Sequence, residues 1–243
     1  MTSGGPLWDS RRTRSIAPGM KVLARSLTFC GILFVVTALA PAQDFVTAQE
    51  FFGKVSAKFT TIKDYSCDFT YSKDETVSSG KLYYRAPNLV RMDYTTPKGQ
   101  VVLMDGEKLQ ILIPSLSLIL EQVFTKKTAR ADIGTERALR MLSEGFDVAY
   151  LDKPDLVPLE SGSREQVTKL RLTRRLASEM YREVILSISK DLLIRRWEGK
   201  LEDRTSVVMD YAGIRLNQNL PASKFKEEAW PEANVYTDFL TGG

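Results

Sequence analysis

The chain has 243 residues, of which 43% are hydrophobic and 26% charged, and it contains no histidine. The missing histidine excludes Ser-His and Cys-His nucleophile systems and most zinc and copper sites. The net charge of +4 does not indicate a nucleic-acid-binding protein: of 34 basic and 30 acidic residues, five and one lie in the first 42, which leaves 29 of each.

Residues 1–42 have the pattern of a cleavable signal peptide. Five basic residues precede an apolar run over residues 27–40, and an Ala-Pro-Ala motif at 40–42 provides a cleavage site. The run is shorter than the ~20 apolar residues that a membrane span needs, although an uncleaved anchor is the alternative. Met20 offers a second possible start. We expect an exported protein with a single domain over residues 43–243.

A capping box over residues 47–50 begins the first predicted helix, with Thr47 and Glu50 bonding to each other's backbone. Apolar residues then recur at spacings of three and four up to residue 62, which indicates an amphipathic helix of about four turns. This helix either packs permanently on a core or covers a cavity from which it can lift. Its apolar stripe consists of Ala48, Phe51, Phe52, Val55, Phe59 and Ile62.

Six short strands follow, separated by turn signals such as Asp105-Gly106. Cys67 alternates with aromatic residues in the first of them, which indicates a buried small side chain. After cleavage it would be the sole cysteine, so it cannot form an internal disulfide. The predicted strands cover residues 65–73, 80–85, 88–95, 101–104, 108–113 and 116–124.

The character of the sequence changes after residue 124. A polar segment leads into a short amphipathic helix that ends at Gly145, and an irregular tail begins at residue 217. About ten consecutive strands with grouped helices predict an α+β fold: a strongly curved antiparallel sheet, or incomplete barrel, with helices over its concave face. The remaining predicted strands cover residues 146–151, 166–174, 181–189, 192–201 and 205–211, with a loop over 152–164.

The stretch from residue 80 to residue 123 is apolar on both faces of the predicted sheet, whereas a half-buried strand normally alternates apolar and polar residues. Such a surface forms either a filled core or a cavity for acyl chains, in which each buried methylene contributes ~0.8 kcal/mol. The candidate cavity residues are Leu82, Tyr84, Val90, Met92, Tyr94, Val101, Leu103, Leu109, Ile111, Ile113, Leu118 and Leu120.

Two segments are candidates for a lid over this cavity: the first helix and the region over residues 133–142. The candidate lid residues are Phe51, Phe52, Val55, Phe59, Leu139 and Leu142.

Other chemistry has weaker support in the sequence. The chain contains no phosphate-binding loop, dinucleotide fingerprint or nucleophile elbow. The acids Asp68 and Asp93 would be the test positions for an enzyme, but acids on strands and turns are usually solvated. The acidic loop over residues 152–160 lacks the spacing of a calcium loop. We therefore predict neither an enzyme nor a metal or other cofactor.

Several motifs together carry a family resemblance. Residues 86–94 read APNLVRMDY, Pro97 follows, residues 101–109 read VVLMDGEKL, and residues 222–225 read ASKF. With the opening helix and the strand at Tyr65, this ensemble resembles the LolA-type periplasmic outer-membrane lipoprotein carriers and lipoprotein-sorting proteins. The likeness extends over most of residues 43–240.

The resemblance implies a periplasmic monomer with a helical lid over an apolar cavity, which shuttles acylated lipoproteins. Its partners would be an inner-membrane donor complex and an outer-membrane acceptor. A lipid- or lipoprotein-sensing regulatory module, or a surface interaction protein on the same fold, is the alternative.

Two positions depart from the family pattern. Ala86 stands where the family has an arginine before the proline, and Val90 stands where an aromatic residue is common. The resemblance implies that this arginine and this aromatic residue, which are absent here, help lid closure and lipoprotein transfer. Arg85 is expected on the opposite face, and Arg91 could substitute only if its strand shifts register.

Overall fold

The computed structural model describes residues 46–124, 135–177, 179–226 and 230–239. They belong to one compact unit, Asp44–Gly243. The predicted signal peptide and the polar segment at 125–134 lie outside the described residues. Within the described ranges, none of the helices combines the length and the apolar character needed to cross a membrane.

Helix α1 spans Ala48–Thr60 and has the predicted capping box. The Glu50 backbone N–H donates to Thr47 Oγ1 at 3.2 Å, and the Thr47 N–H donates to the Glu50 carboxylate at 2.8 Å. Because the ionised carboxyl accepts this bond, the pKa of Glu50 is lowered. The apolar stripe faces the core, with Phe52 and Val55 no more than 1% exposed.

Helix α2 spans Glu136–Gly145, also as predicted. The side chain of Thr135 caps its start by accepting a hydrogen bond from the Ala138 N–H at 3.1 Å. The helix buries Ala138 and Leu139.

In the described residues, 13 strands form one sheet. Two short strands, Val157–Pro158 and Asn234–Thr237, lie in the predicted loop and in the predicted irregular tail. The strands are β1 Asp64–Lys73, β2 Thr76–Arg85, β3 Leu89–Thr96, β4 Val101–Met104, β5 Lys108–Ile113, β6 Leu118–Val123, β7 Phe146–Tyr150, β8 Val157–Pro158, β9 Gln166–Arg174, β10 Tyr181–Ser189, β11 Ile194–Leu201, β12 Ser206–Leu216 and β13 Asn234–Thr237.

The sheet is strongly curved and does not close, which confirms the predicted fold class. Its strand order is β13-β6-β5-β4-β3-β2-β1-β12-β11-β10-β9-β7, with β8 paired to β9. Every neighbouring pair is antiparallel except β13 and β6, which are parallel. In the described part of the chain, one edge of the sheet is β13 and the other is formed by β7 and β8. The two helices lie on the concave face, which we call the helix face.

One large hydrophobic cluster fills the space between the helices and the helix face. It joins β1–β3 to β9–β12, so the two halves of the sheet share a core. Phe52, Val55 and Leu139 of the helices pack in the same cluster as Leu170 and Leu186, and all five are no more than 1% exposed.

The C-terminal residues run along the opposite face, which we call the outer face. Asp64, only 4% exposed, accepts the N–H groups of Gln218 at 2.7 Å and Asn219 at 3.0 Å. Arg85 donates to the carbonyl of Leu220 at 2.7 Å. These bonds fix the start of the tail, and β13 fixes its end against β6.

Candidate functional site

Part of the helix face lies fully beneath the helices. Leu82, Tyr84, Val90 and Met92 of β2 and β3 are at most 9% exposed and belong to the main cluster. Tyr84 donates to the Pro87 carbonyl at 3.3 Å, and burial raises its pKa to about 12. The phenol therefore stays neutral and adds no charge to the apolar surface.

Cys67 lies on the same face, because it pairs with Leu82 across the β1–β2 ladder. Burial raises the pKa of its thiol to about 12. A protonated thiol is a poor nucleophile, so this residue acts as a small apolar side chain, in line with its sequence interpretation.

The helix face continues onto β5 and β6 as a half-buried apolar strip. The register defines it: Met92 pairs with Val102, Val102 with Ile111 and Ile111 with Leu120, and cross-strand partners share a face. All members of this strip are half-buried, and none belongs to the buried core cluster. The apolar strip consists of Leu109, Ile111, Ile113, Leu118 and Leu120.

Two predicted cavity residues lie elsewhere. Val101 pairs with Asp93, and Leu103 pairs with Arg91, so both point to the outer face. There Leu103 joins a small cluster with Leu112 and Ile119, against which Val101, Trp230 and Ala233 pack. β4 reads Val-Val-Leu-Met, so its sequence does not reveal which residues face the helices. The other two members, Val102 and Met104, pack against the main cluster.

The candidate lid residues occupy two different environments. Phe52, Val55, Phe59 and Leu139 are buried in the main cluster, whereas Phe51 and Leu142 are half-buried at its margin. The Phe51 ring lies 6.2 Å from the Tyr150 ring. Tyr150 also donates to the Val46 carbonyl at 2.9 Å, which ties the start of α1 to β7.

An apolar pocket lies where the end of α1 meets β11 and β12. Its cavity volume is about 10 Å³, room for about one water molecule. An acyl chain does not fit in it unless neighbouring side chains move, so the strip on β5 and β6 offers more accessible apolar surface. The pocket is lined by Phe59, Ile62, Tyr65, Leu193, Ile194, Tyr211, Ile214 and Leu216.

Arg91 lies on the outer face, so it does not substitute for the arginine that the family resemblance implies before Pro87. The pairing of β2 with β3 is regular around Arg91, and its one irregularity lies farther along, between Ser79 and Gly80. The Arg91 guanidinium donates to Asp93 at 2.5 Å and to the Lys224 carbonyl at 3.2 Å. Lys224 in turn lies 4.1 Å from the centre of the Tyr83 ring. Arg91 and Asp93 thus hold the tail on the outer face.

The two acids considered for catalysis also lie on the outer face. Asp68 forms an exposed ion pair with Lys81 at 2.9 Å. Asp93 pairs with Arg91 and, at 3.2 Å, with Lys224. Neither carboxylate lines the helix face, so the two do not form an acid pair beside the apolar strip.

The prediction missed the contribution of the second half of the sheet. Leu170, Leu172, Val184 and Leu186 are fully buried on the helix face, and Trp197 is 3% exposed. Period-two alternation in β9–β11 was the available signal. These residues form part of the filled core under the helices and do not contribute to an accessible apolar surface.

Comparison with known proteins agrees with this architecture. The family model described as "Outer membrane lipoprotein carrier protein LolA" matches residues 60–228. An outer-membrane lipoprotein carrier protein of Pseudomonas entomophila (strain L48) is 26% identical over 160 residues, which are 65% of this chain and 71% of that protein.

Of two solved structures in the comparison, the first is similar in fold. An uncharacterized conserved protein from Thermus thermophilus has a TM-score of 0.52 and 13% identity, over 78% of this chain and 98% of that one. A LolA superfamily protein from Nitrosomonas europaea has a TM-score of 0.39 and 16% identity, over 75% and 99% of the two chains. On the match of the family model, which covers most of the chain, this protein belongs to the LolA family of outer membrane lipoprotein carrier proteins.

Proposed function

We propose that this protein is a periplasmic carrier that binds the acyl chains of lipoproteins, or of lipids, and shuttles them toward the outer membrane. The observation that carries the proposal is the half-buried apolar strip of β5 and β6, which extends the helix face beyond the fully buried core. Membership in a family of lipoprotein carriers supports the same assignment.

The strip suits an acyl chain because its members are aliphatic. Each methylene moved from water to an apolar surface contributes ~0.8 kcal/mol, so a sixteen-carbon chain gives ~12 kcal/mol before ordering costs. Aliphatic contacts have no directional requirement, so binding of the acyl chain does not depend on the sequence of the protein attached to it. The free energy of binding must nearly equal the free energy of returning the acyl chain to a membrane, because a tighter complex would not release its cargo.

Deeper entry requires movement of the helices, because the space beneath them is filled. Val55 and Leu139 are completely buried there. We infer that α1 and α2 act as lids that lift from the helix face while an acyl chain takes the place of their apolar side chains. An inner-membrane donor complex and an outer-membrane acceptor would supply and receive the cargo of a monomeric carrier.

A matched pair of isoleucine variants tests this proposal. Ile111 is half-buried on the helix face, and Ile185 is half-buried on the outer face, where it pairs with Arg171. We expect Ile111→Gln to weaken binding of a fluorescent fatty acid about tenfold, since the amide would lie against the chain. Ile185→Gln should leave the affinity unchanged.

The same titration also shows when the proposal fails. Absence of fatty-acid binding by the unaltered protein, with no lipid found by mass spectrometry of the purified protein, would contradict a carrier role. An equal loss of affinity in both variants would show that binding does not take place on the helix face.

A further inference from the structure

Several large apolar side chains are exposed to solvent at one end of the sheet. Because neighbouring strands alternate in direction, the turns after β1, β3, β5, β9 and β11 all lie at this end, which we call the turn end. Four large apolar residues there are 40–65% exposed. They are Val77, Leu116, Leu176 and Met180.

A fifth exposed side chain, Met141, lies on α2, whose last turn is bonded to the turn end. The Arg175 backbone N–H donates to the Gly145 carbonyl at 2.9 Å, and its guanidinium donates to the Glu144 carbonyl at 3.0 Å. These bonds join the last turn of α2 to the turn after β9. Met141, 42% exposed, lies about one helical turn before Gly145.

Cationic side chains accompany the apolar tips. Lys98 lies in the turn after β3, which approaches the turn that carries Leu116: a Cβ on Gly99 would lie 3.8 Å from Pro114 Cγ. Arg182 follows Met180 by two residues. Both Lys98 and Arg182 are exposed and have no ion-pair partner among the residues that the structure describes.

This arrangement fits a phospholipid bilayer better than a folded partner. The apolar tips are divided among three places: Val77 at the start of β2, Leu116 in the turn after β5, and Leu176 and Met180 in the turn after β9. They therefore do not form one continuous groove that a protein segment could fill. A fluid bilayer accepts separated apolar side chains at its interface, while phosphate groups complement Lys98 and Arg182. Acids such as Glu75 and Glu179 lie at the same end, so we expect apolar contact to contribute more than charge.

The turn end is also continuous with the apolar strip. Ile113 and Leu118 pair at the end of β5 and the start of β6, next to the turn that carries Leu116. A bilayer in contact with Leu116 would therefore adjoin the helix face without an intervening polar strand.

We propose that the turn end is a membrane-docking surface, which rests on a phospholipid bilayer while an acyl chain passes between the bilayer and the helix face. The docking step stands on the exposed tips; the passage of an acyl chain rests on the proposed carrier function.

Vesicle flotation of the compact unit Asp44–Gly243 tests the docking step. The vesicles contain phosphatidylethanolamine and phosphatidylglycerol. We expect the unaltered protein to float with them, and both Leu176→Glu and Leu116→Glu to lower the bound fraction about tenfold, since each removes one apolar anchor and adds a charge. The binding should depend only weakly on salt concentration.

The matched control is Val123→Glu. Val123 is 55% exposed, like Val77, but lies at the other end of the sheet. This variant should bind vesicles normally, and circular dichroism should show all variants folded. Docking is overturned when the unaltered protein does not float, or when Val123→Glu weakens flotation as much as Leu176→Glu does; the tips would then be assigned to a protein partner.

A fatty-acid titration in solution separates the two proposals. We expect the variants at the turn end to bind a fluorescent fatty acid normally, because they do not alter the apolar strip. Vesicle binding without fatty-acid binding would overturn the carrier function and leave docking intact. Fatty-acid binding without flotation would overturn docking alone.

Discussion

Single residues on this sheet acquire their roles from the strand pairing. Val101 and Val102 are neighbours of the same type, yet one packs under the C-terminal tail and the other toward the helices. Strand pairing also determines which side chain position 80 can accept, because Gly80 lies close to the backbone of β3. A Cβ at this position would lie 2.2 Å from the Asp93 carbonyl oxygen and 2.8 Å from Tyr94 Cα. Both are backbone atoms of β3, so a rotamer change cannot relieve the contact.

We expect Gly80→Ala to lower the free energy of unfolding by about 3 kcal/mol, because the added methyl forces β2 away from β3. Urea unfolding followed by circular dichroism measures this change. Gly53→Ala is the matched control: a Cβ there has no atom within 4 Å, and alanine in a helix should add ~0.5–1 kcal/mol of stability. A Gly80→Ala protein as stable as the unaltered one would show that the two strands do not approach this closely.

At the scale of elements, local signals determined what could be predicted. The capping box and the apolar stripe predicted α1, because a helix is specified by residues near in sequence. Strand β2 begins at Thr76, whereas the sequence predicted residue 80 as its start. The first residues were missed because Ser78 and Ser79 show no alternation of apolar and polar side chains. β13 was missed because its only described partner, β6, is more than 100 residues away. The covering of the outer face by the tail was missed for the same reason.

The contact between α1 and β7 lends itself to a kinetic test of the lid. The Tyr150 hydroxyl ties the start of α1 through its bond to the Val46 carbonyl. We expect Tyr150→Phe to speed uptake and release of a fluorescent fatty acid about fivefold, since one hydrogen bond contributes about 1 kcal/mol. Stopped-flow fluorescence gives both rates.

Tyr83→Phe provides the comparison, because it removes a hydroxyl from the outer face and keeps the ring that Lys224 contacts. Its rates should match those of the unaltered protein. Equal rates in all three proteins would mean that lifting of α1 does not limit acyl exchange.

At the scale of the molecule, the two halves of the sheet differ in how their helix faces are used. β9 and β10 present fully buried residues such as Leu172 and Val184, whereas β5 and β6 present the half-buried strip. The sequence predicted a curved sheet with helices over its concave face, and the structure confirms this architecture. It did not separate filled core from accessible surface, because that distinction depends on where the helices lie, and aliphatic composition is the same in both.

The central claim is that the helix face of β5 and β6 receives an acyl chain. Photolabelling with a diazirine-bearing fatty acid, followed by tandem mass spectrometry, tests it most directly. We expect labels on peptides that contain Leu109, Ile111, Leu118 or Leu120, and loss of label when unlabelled fatty acid competes. Labelling confined to the outer-face residues of β10 and β12, or no competable label, would contradict the account.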